Sequence, residues 1–321
     1  MGTVLVTGGT SSYAPHIVRA LADAGEQVVV TYRKAYRAPQ ILSDIEGSKL
    51  RAARCDVLLL PEISRVIRDY GVETIVHAVD IAQSATSQPS IYEAMQTKVV
   101  GTINVMEAAS LGSVKRVTFI SSTTIRSKGN PEGFDMGFEQ ENVHIVSGAY
   151  SHAAGKKCGE IISLLYGAAY GISVRIVRPG HSWGPYVQEN KRGDLGMIRD
   201  IVEGAVKGKP VDLPDVAKDT HVRARYIADS GRAIALVHTT PHPQHIVYSI
   251  AEERPYTWGE IADTVKELIP RSTVTFGQSG PVGDHEVINE LRITNELGFK
   301  PKYDLRKGLV EYIDWYRNGQ A

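Results

Sequence analysis

Apolar residues follow two different periods along the first 180 residues of the chain. Short apolar runs rich in β-branched side chains are typical of buried parallel strands, whereas apolar residues that recur every three or four positions predict helices. The runs predict strands at residues 3–7, 27–31, up to about 55–56, 74–78, 116–121 and 173–178. The recurring spacing predicts helices at residues 14–24, 61–70, roughly 90–111 and about 152–170.

Strands that alternate with helices in this way predict an α/β fold with a doubly wound parallel sheet and right-handed crossovers. After residue 180 the alternation weakens, although a helix at 227–238 and a strand at 246–250 are expected to return to the main sheet. We therefore expect one domain of residues 1–180 plus about 223–250. A smaller, discontinuous C-terminal lobe is expected from about 181–222 plus 251–321. In such sheets ligands bind at the carboxyl ends of the strands.

The composition narrows the classes of partner. In 321 residues, 36 Lys and Arg balance 36 Asp and Glu, so the formal net charge is zero. A neutral chain has no electrostatic reason to bind nucleic acid or an anionic membrane over its whole surface, and we expect neither partner. Its two cysteines, Cys55 and Cys158, have no zinc-ligand spacing with the histidines, so we expect no metal. The N-terminus shows no signal peptide and no long apolar run, which predicts a cytoplasmic protein.

The first predicted strand leads into a glycine turn and then a helix, in the sequence VLVTGGTSSYAPHIV. Such a turn brings backbone N–H groups and a helix N-terminus to a pyrophosphate. It resembles the TGGxGxxG loop of the extended short-chain dehydrogenase/reductase family, the NAD-dependent epimerase/dehydratase group, whose fold is Rossmann-like. The resemblance runs the length of the chain and ends with ITNELGFKPKYDLRKGLVEYIDWYR. It implies that the residues of this turn bind the cofactor: Gly8, Thr10, Ser11, Ser12 and Tyr13.

The loop departs from the family at two of its three glycines. Gly8 is retained, but Ser11 and Ala14 stand at the second and third positions. Alanine at the third position still permits close helix packing. If Ser11 has a positive φ, strain of roughly 1 kcal/mol is added. The alternatives are therefore a loop in which the Ser11 hydroxyl contacts a phosphate and a turn that no longer binds dinucleotide.

The end of the second strand predicts the type of nicotinamide cofactor. Family members that prefer NAD usually carry a carboxylate there, whereas this chain has Tyr32 followed by Arg33, Lys34 and Arg37. Guanidinium and ammonium groups suit a 2′-phosphate, so we expect NADP, with NAD as the alternative. The resemblance implies further cofactor contacts after later strands, at Asp56, Val57, His77, Ala78, Val79, Lys156 and Pro179.

Catalysis in the family depends on a Ser or Thr and a Tyr-x-x-x-Lys helix, in which the Tyr is the general acid/base and the Lys lowers its pKa. The resemblance places the hydroxyl at Ser122, with Thr123 adjacent. Lys156 precedes Glu160 by four residues, as the family's Lys does, so His152 occupies the Tyr position. Tyr150 is six residues from Lys156, about 120° away around a helix, and can serve only if the helix begins later.

A histidine at position 152 changes the expected chemistry. Its unperturbed pKa is near 6.5, and a neighbouring Lys⁺ lowers that pKa further. It accepts a proton readily at neutral pH but is a poor acid for a carbonyl. The substitution favours proton abstraction, lyase or isomerase chemistry over carbonyl reduction, and an inactive site or catalysis through Tyr150 are the alternatives.

The C-terminal lobe is expected to bind the substrate. The segment RPGHSWGP resembles the family's RPGNVYGP and suggests His181 and Trp183 as substrate contacts, with Asp80 as a further candidate. No arginine fork for a diphosphate is evident near Pro281 and Asp284, and Arg223, Arg225 and Arg292 are the alternatives for that role. This argues mildly against a nucleotide sugar and for a smaller or less charged substrate. The resemblance also implies a homodimer built from the helices near 90–111 and 152–170.

Two functions from different classes follow. The first is an NAD(P)-dependent epimerase, dehydratase or reductase that acts on a small polar or sugar-like substrate through Ser122, His152 and Lys156. The second is a non-redox relative, a lyase, isomerase, cofactor sensor or scaffold, and it rests on the departures at Ser11 and His152. An RNA-binding relative is disfavoured by the zero net charge.

Overall fold

The structure, a computed structural model, describes residues 2–80, 90–125, 148–187, 194–250, 254–278 and 291–319. The strands in these ranges are β1 Thr3–Thr7, β2 Gln27–Tyr32, β3 Leu50–Arg54, β4 Thr74–His77, β5 Arg116–Ile120, β6 Ser173–Pro179, β7 Ser182–Trp183, β8 Val211–Ala217, β9 His221–Val222, β10 Arg225–Tyr226, β11 Val247–Ile250, β12 Tyr256–Thr257 and β13 Val274–Gly277. The helices are α1 Ala14–Asp23, α2 Leu60–Tyr70, α3 Ile91–Met95, α4 Gly101–Leu111, α5 Gly148–Tyr170, α6 Asp194–Lys207, α7 Ile227–Thr239, α8 Trp258–Leu268, α9 Leu291–Leu297 and α10 Leu305–Arg317.

A parallel sheet of seven strands organises the main domain, in the order β11-β6-β5-β4-β1-β2-β3. The chain starts in the middle of the sheet, builds outward to β3, and then returns to continue from β4 to the opposite edge. This order confirms the doubly wound parallel sheet expected from the sequence. It brings the carboxyl ends of β1, β4 and β5 side by side, where a ligand site is expected.

Most strands of the main sheet are buried on both faces, which explains their largely apolar sequence. The edge strand β3 differs, because Arg51, Ala52 and Arg54 are exposed. Leu5, Val29 and Ile75 belong to one hydrophobic cluster with residues of α2 and α4. The alternate positions, among them Val6 and Val30, belong to a second cluster with residues of α1 and α7. A third cluster, around Trp183, Trp258 and Leu309, lies in the C-terminal part of the chain and draws on α6, α8 and α10.

The helix expected at 90–111 is interrupted by a π-helical turn. It consists of α3, the turn Gln96–Val100 and α4 in direct succession. Single π-helical turns inside α-helices often mark functional sites, because they rotate the side chains that follow. Here the turn contains Lys98, a buried lysine in a largely apolar stretch.

No helix within the described ranges is long and apolar enough to cross a membrane.

Candidate functional site

The turn after β1 can be built only with glycine at two positions. Gly8 has a φ of +78°, and a Cβ on it would lie 2.9 Å from both the Ala78 carbonyl oxygen and Val79 Cα. A Cβ on Gly9 would lie 2.9 Å from the Thr31 carbonyl oxygen. The turn is therefore packed directly on the backbone that follows β2 and β4, as a close backbone approach to a phosphate requires.

The residues after the glycines fit a bound anion. Among the described residues, only Ser113 and Tyr186 combine a side chain with a positive φ, so Ser11 carries no left-handed strain. The Ser11 hydroxyl is buried and has no hydrogen-bond partner among the residues that the structure describes. The side chain of the Ncap residue Tyr13 does not cap α1. The positive end of the helix dipole at this N-terminus is therefore available to a ligand. An unpartnered hydroxyl beside a glycine turn and a helix N-terminus suits the phosphates of a dinucleotide.

The other predicted residues of this turn have different surroundings. Thr10 is exposed, and Ser12 is half-buried. The Tyr13 hydroxyl donates toward the Gly180 carbonyl oxygen and Ser182 Oγ, each at 3.1 Å. Tyr13 therefore ties the turn to the segment after β6, which begins the substrate-lobe sequence.

The basic residues after β2 lie on the surface. Arg33, Lys34 and Arg37 are exposed, and the rings of Tyr32 and Tyr36 stack with centroids 5.8 Å apart. None of the three cations has an acidic partner within the described part of the chain. An uncompensated cluster of this kind at the end of β2 is available to an anionic ligand.

The predicted residues after β3 are partly engaged. Asp56 Oδ1 accepts a hydrogen bond from the Leu58 backbone N–H at 3.0 Å. The Val57 carbonyl accepts from Asn104 Nδ2 at 3.0 Å. These contacts hold the loop between β3 and α2 against α4, with the Asp56 side chain half-buried.

His77 lies in the core under the same edge of the sheet. Its Nδ1 is 2.6 Å from Thr7 Oγ1 and its Nε2 is 3.1 Å from Thr102 Oγ1. The pKa of His77 is lowered to about 3, mainly by burial and also by Lys156, while Asp80 partly offsets both. His77 is therefore a neutral structural residue, and Ala78 and Val79 present their backbone to Gly8.

Three side chains converge on the carboxylate of Asp80, just beyond β4. Lys98 Nζ contacts Asp80 Oδ1. Lys156 Nζ is 3.3 Å from Asp80 Oδ2, and His152 Nδ1 is 3.4 Å from the same oxygen. Lys98 Nζ also lies 3.0 Å from His152 Nδ1. We refer to Asp80, Lys98, His152 and Lys156 as the Asp80 cluster.

Both expected catalytic residues of α5 are therefore brought to one place. His152 and Lys156 are four residues apart on a helix and share a face. The helix begins at Gly148, earlier than predicted, so a late start that would let Tyr150 serve is not observed. The side chain of Tyr150 lies outside the described residues.

Lys156 is anchored at the end of β5. Its Nζ donates to the Ile120 carbonyl oxygen at 2.8 Å and lies 5.6 Å from the centre of the Phe119 ring. Ser122 and Thr123, just beyond β5, are both buried. The Ser122 hydroxyl accepts hydrogen bonds from the Thr124 backbone N–H at 3.2 Å and from Thr124 Oγ1 at 3.0 Å.

Lys98 is a functional candidate that the sequence did not reveal. Its side chain passes over Gly155, where a Cβ would overlap Lys98 Cδ and lie 2.9 Å from Lys98 Cβ. Gly159 similarly leaves room for Phe119, whose Cε1 would be 3.0 Å from a Cβ there. The signal in the sequence is a lysine in an apolar helix and two glycines four apart in another, which is too general to connect them.

The charges of the Asp80 cluster keep His152 neutral. The pKa of His152 is lowered to about 4, mainly by burial and also by Lys98 and Lys156, while Asp80 partly offsets them. Burial would raise the pKa of Asp80, but the two lysines and His152 outweigh burial and lower it. Burial also lowers the pKa of Lys98, which Asp80 partly restores. At neutral pH the cluster holds an ionised aspartate, a Lys98 ammonium bound to it and an uncharged imidazole.

The two candidate substrate residues of the C-terminal lobe differ in position. His181 is exposed between β6 and β7. Trp183 is 2% exposed, and its Nε1 donates to the Ala224 carbonyl oxygen at 3.0 Å. Its ring packs on Tyr226 and Tyr312 in the third hydrophobic cluster, so Trp183 serves packing. Pro179 is buried at the end of β6.

The expected region for an arginine fork, near Pro281 and Asp284, lies outside the described residues. Arg225 is buried with its guanidinium 5.4 Å from the Phe299 ring, and Arg292 donates to the Val247 carbonyl. No group of three or more potential metal ligands occurs in the ranges that the structure describes.

A family model matches most of the chain, and curated relatives match nearly all of it. The model described as the NAD dependent epimerase/dehydratase family matches residues 4–251. A dTDP-glucose 4,6-dehydratase from Salmonella typhimurium is 24% identical over 344 residues, which cover 98% of this chain and 92% of that protein. UDP-glucuronic acid decarboxylase 1 from Arabidopsis thaliana is 23% identical, with 98% of this chain and 70% of that protein covered.

Solved structures share the fold over the same length. UDP-glucose 4-epimerase from Thermus thermophilus, in complex with NAD, has a TM-score of 0.73 and 21% identity, covering 98% of this chain and 99% of that one. UDP-glucose 4-epimerase from Thermotoga maritima, with UDP-glucose, has a TM-score of 0.75 and 19% identity, covering 99% and 100%. These likenesses show that the doubly wound fold is Rossmann-like.

Proposed function

Because the chain belongs to the NAD dependent epimerase/dehydratase family, we propose that it is an NAD(P)-dependent epimerase, dehydratase or reductase that acts on a small polar or sugar-like substrate. The observation that carries this proposal is the Asp80 cluster, which gathers His152 and Lys156 beside the glycine turn. The curated relatives are themselves dehydratases and decarboxylases, which supports an enzyme and not the non-redox alternative.

Each residue of the proposed site has a distinct role. The Gly8–Gly9 turn, the Ser11 hydroxyl and the N-terminus of α1 hold the cofactor phosphates. The bound nicotinamide supplies hydride chemistry at a substrate carbon. Ser122 polarises the substrate oxygen, His152 transfers a proton to or from the substrate, and Lys156 anchors the cofactor ribose. The lobe of residues about 181–222 plus 251–321, with His181 and Asp80 at its border, receives the substrate.

Binding of a nicotinamide cofactor tests this function directly. The protein is heated with NADH, NADPH, NAD⁺ or NADP⁺, and its unfolding midpoint is compared with that of the free protein. A site occupied at a hundred times Kd adds about 2.7 kcal/mol to the apparent stability, so a clear upward shift is expected. The absence of a shift with every form contradicts the proposal.

A substitution at the family's tyrosine position tests the catalytic assignment. In His152→Tyr, reduction of a carbonyl substrate is expected to appear or to increase, because the phenol restores an acid. In His152→Ala, activity on any substrate that the wild-type protein turns over is expected to fall about 10²–10⁴-fold. Unchanged activity in His152→Ala removes His152 from the catalytic set, whether or not cofactor binds.

We expect a preference for NADP over NAD, because the exposed cations after β2 have no acidic partner among the described residues. In the double variant Arg33→Ser and Arg37→Ser, the Kd for NADPH should rise by roughly tenfold or more and the Kd for NADH by less than about twofold. Fluorescence titration measures both constants. Arg68→Ser, which removes an exposed arginine paired with Asp69, is the matched control. Tighter binding of NADH than of NADPH by the wild-type protein contradicts the preference.

The names of the matching relatives bear on the class of substrate. The relatives that match are named for dTDP-glucose and UDP-glucuronic acid, which supports a sugar-like substrate. The residues near 281–284 that bear on a diphosphate are outside the described ranges. Turnover of UDP-glucose compared with an unphosphorylated sugar distinguishes a nucleotide sugar from the smaller substrate favoured by the sequence.

We also propose a homodimer formed through α4 and α5 in a cytoplasmic protein. Leu111 at the end of α4 and Leu165 in α5 are 68% and 64% exposed, although both helices otherwise pack on the sheet. Leu165→Glu should convert a dimer into a monomer because a charge is desolvated at the interface, as sedimentation at micromolar concentration would show. The control is Val310→Glu, an exposed apolar position on α10. A wild-type monomer, or a Leu165→Glu dimer, contradicts the assignment.

A further inference from the structure

His152 has two possible neutral tautomers, and its neighbours distinguish between them. In one tautomer the proton is on Nδ1 and Nε2 is a base. In the other the proton is on Nε2, which is then a hydrogen-bond donor. The choice matters because Nδ1 faces the Asp80 cluster, while Nε2 has no hydrogen-bond partner among the residues that the structure describes.

Two groups compete for Nδ1. Asp80 Oδ2 can accept a proton from it, but the distance of 3.4 Å is beyond the usual range for an N–H···O hydrogen bond. Lys98 Nζ is closer, at 3.0 Å. Lys98 also contacts the Asp80 carboxylate, which holds its buried side chain as an ammonium ion. An ammonium group has three donors and no acceptor.

A proton on Nδ1 and an ammonium proton on Lys98 cannot both occupy the short space between the two nitrogens. Lys98 can turn another of its protons to Asp80, but its contact with Nδ1 stays repulsive unless Nδ1 carries a lone pair. The Lys98 contact is therefore a hydrogen bond only if Nδ1 accepts.

We propose that Lys98 is a positioning residue that holds His152 in the tautomer with its proton on Nε2. Nε2, which has no hydrogen-bond partner among the described residues, is then a donor suited to a carbonyl or hydroxyl oxygen of the substrate. This inference rests on the proposed function for the identity of that ligand, but the tautomer itself is a property of the free protein.

The architecture around Lys98 is consistent with this role. The π-helical turn Gln96–Val100 carries Lys98, and Thr102 Oγ1 donates back to the Lys98 carbonyl at 2.6 Å. Gly155, three residues after His152, provides the space through which the Lys98 side chain reaches the imidazole. Both helices are thus adapted to bring one lysine to one ring nitrogen.

Nitrogen NMR of the protein labelled with ¹⁵N-histidine tests the proposal without cofactor or substrate. The His152 signals are those lost in His152→Asn, and the shifts of protonated and unprotonated ring nitrogens differ clearly. In wild-type protein near pH 7.5 we expect a protonated Nε2 and an unprotonated Nδ1. A protonated Nδ1 in the wild type overturns the proposal, whatever the cofactor experiments show.

Substitution of Lys98 should move the His152 proton to the other ring nitrogen. In Lys98→Met, Nδ1 loses its donor and keeps Asp80, so the proton should move to Nδ1. The pKa of His152 should also rise from about 4, since one lysine that lowers it is gone. Lys98→Gln, whose amide N–H can still donate, should retain the wild-type tautomer. Lys115→Met, at an exposed lysine paired with Glu73, is the control.

The NMR results separate the role of Lys98 from the proposed function. An Nε2-protonated His152 in both wild type and Lys98→Met shows that another group sets the tautomer and contradicts the role of Lys98. If Lys98→Met does not fold, Gly155→Ala serves instead, because its Cβ would overlap the Lys98 side chain and displace it from His152, so the proton should again move to Nδ1. Absence of cofactor binding would contradict the proposed function but leave the tautomer result valid.

Discussion

Histidine at position 152 and lysine at position 98 change the proton chemistry of the site together. A tyrosine there would need a cation to lower its pKa from about 10, and Lys156 is the cation present. A histidine needs no such help, because burial and two lysines already hold its pKa at about 4. The imidazole is therefore uncharged at neutral pH, and what it offers a substrate depends on which nitrogen carries the proton.

Gly155 is predicted to be essential to this arrangement. In Gly155→Ala the new Cβ would overlap Lys98 Cδ, so the lysine must move away from His152. Alanine is a better helix former by about 1 kcal/mol, which should offset part of an overpacking cost of about 1–3 kcal/mol. We expect a stability change below about 2 kcal/mol by urea unfolding, together with loss of the wild-type His152 tautomer by NMR.

The control for Gly155→Ala is Ala154→Ser, which adds one atom at the exposed position next to it. This variant should keep both the stability and the tautomer. A Gly155→Ala protein with an unchanged His152 signal would show that Lys98 does not need the space over Gly155.

One face of helix α5 contributes residues to the site and, farther along the helix, a buried residue to the core. His152, Lys156 and Glu160 follow at intervals of four residues and so lie along one side of the helix. Glu160 accepts hydrogen bonds from Arg178 of β6, with Nε to Oε1 at 2.8 Å and Nη2 to Oε2 at 2.7 Å. Both side chains are almost completely buried. This bidentate pair sets the position of α5 against the sheet and thereby that of Lys156.

The Glu160–Arg178 pair is predicted to be costly to break. Glu160→Gln leaves the Arg178 charge buried without its counter-ion, so the free energy of unfolding should fall by about 3–5 kcal/mol. Denaturant unfolding measures this change. The matched control is Glu73→Gln, which breaks the exposed pair with Lys115 and should cost less than about 1 kcal/mol.

A double variant at the same pair tests whether the loss of stability comes from the unpaired buried charge. In the double variant Glu160→Met and Arg178→Met, no buried charge remains, so part of the lost stability should return. If Glu160→Gln is no less stable than the Glu73→Gln control, the buried pair does not hold α5 as described.

Buried neutral histidines connect distant parts of the whole molecule. His16 on α1 lies 3.1 Å from the Pro185 carbonyl oxygen, and His238 on α7 bridges Thr74 and Thr118 at 2.9 and 2.8 Å. Burial lowers the pKa of His16 to about 4 and that of His238 to about 3, with Arg116 and Arg175 adding to the latter. With His77 and His152, these residues are uncharged in the folded protein at neutral pH.

Acid should therefore destabilise the folded protein in a defined window. These histidines have lowered pKa values in the folded state and about 6.5 in the unfolded state, so the unfolded chain binds more protons. Their stabilising contribution is present above about pH 6.5 and is lost as the pH falls toward 3–4. Each contributes a slope of at most about 1.4 kcal/mol per pH unit, measurable by urea unfolding near pH 7.5 and pH 5.

The control for this slope is His221→Gln, because His221 is exposed. That variant should reproduce the wild-type slope, whereas His238→Gln should flatten it. A free energy of unfolding that does not change between the two pH values would show that these histidines titrate alike in both states.

Much of the fold was predictable from local patterns. Most strands of the main sheet are buried on both faces, so their apolar runs stand out, and β1 was predicted with its observed limits. The start of α5 was predicted four residues too late, because the residues before His152 carry no clear helix signal. Trp183 was predicted at the substrate, but its large apolar ring is more stable in the lobe core with Tyr226 and Tyr312.

The doubly wound sheet, the glycine turn and the spacing of His152, Lys156 and Glu160 can be predicted from periodicity or from neighbours along one element. Only the packing of separate elements shows that Lys98, 54 residues before His152, reaches its Nδ1. The same packing buries the Ser11 hydroxyl without a hydrogen-bond partner among the described residues. These features depend on how separate helices and strands pack, and no pattern within one segment records the distance between a lysine on one helix and a histidine on another.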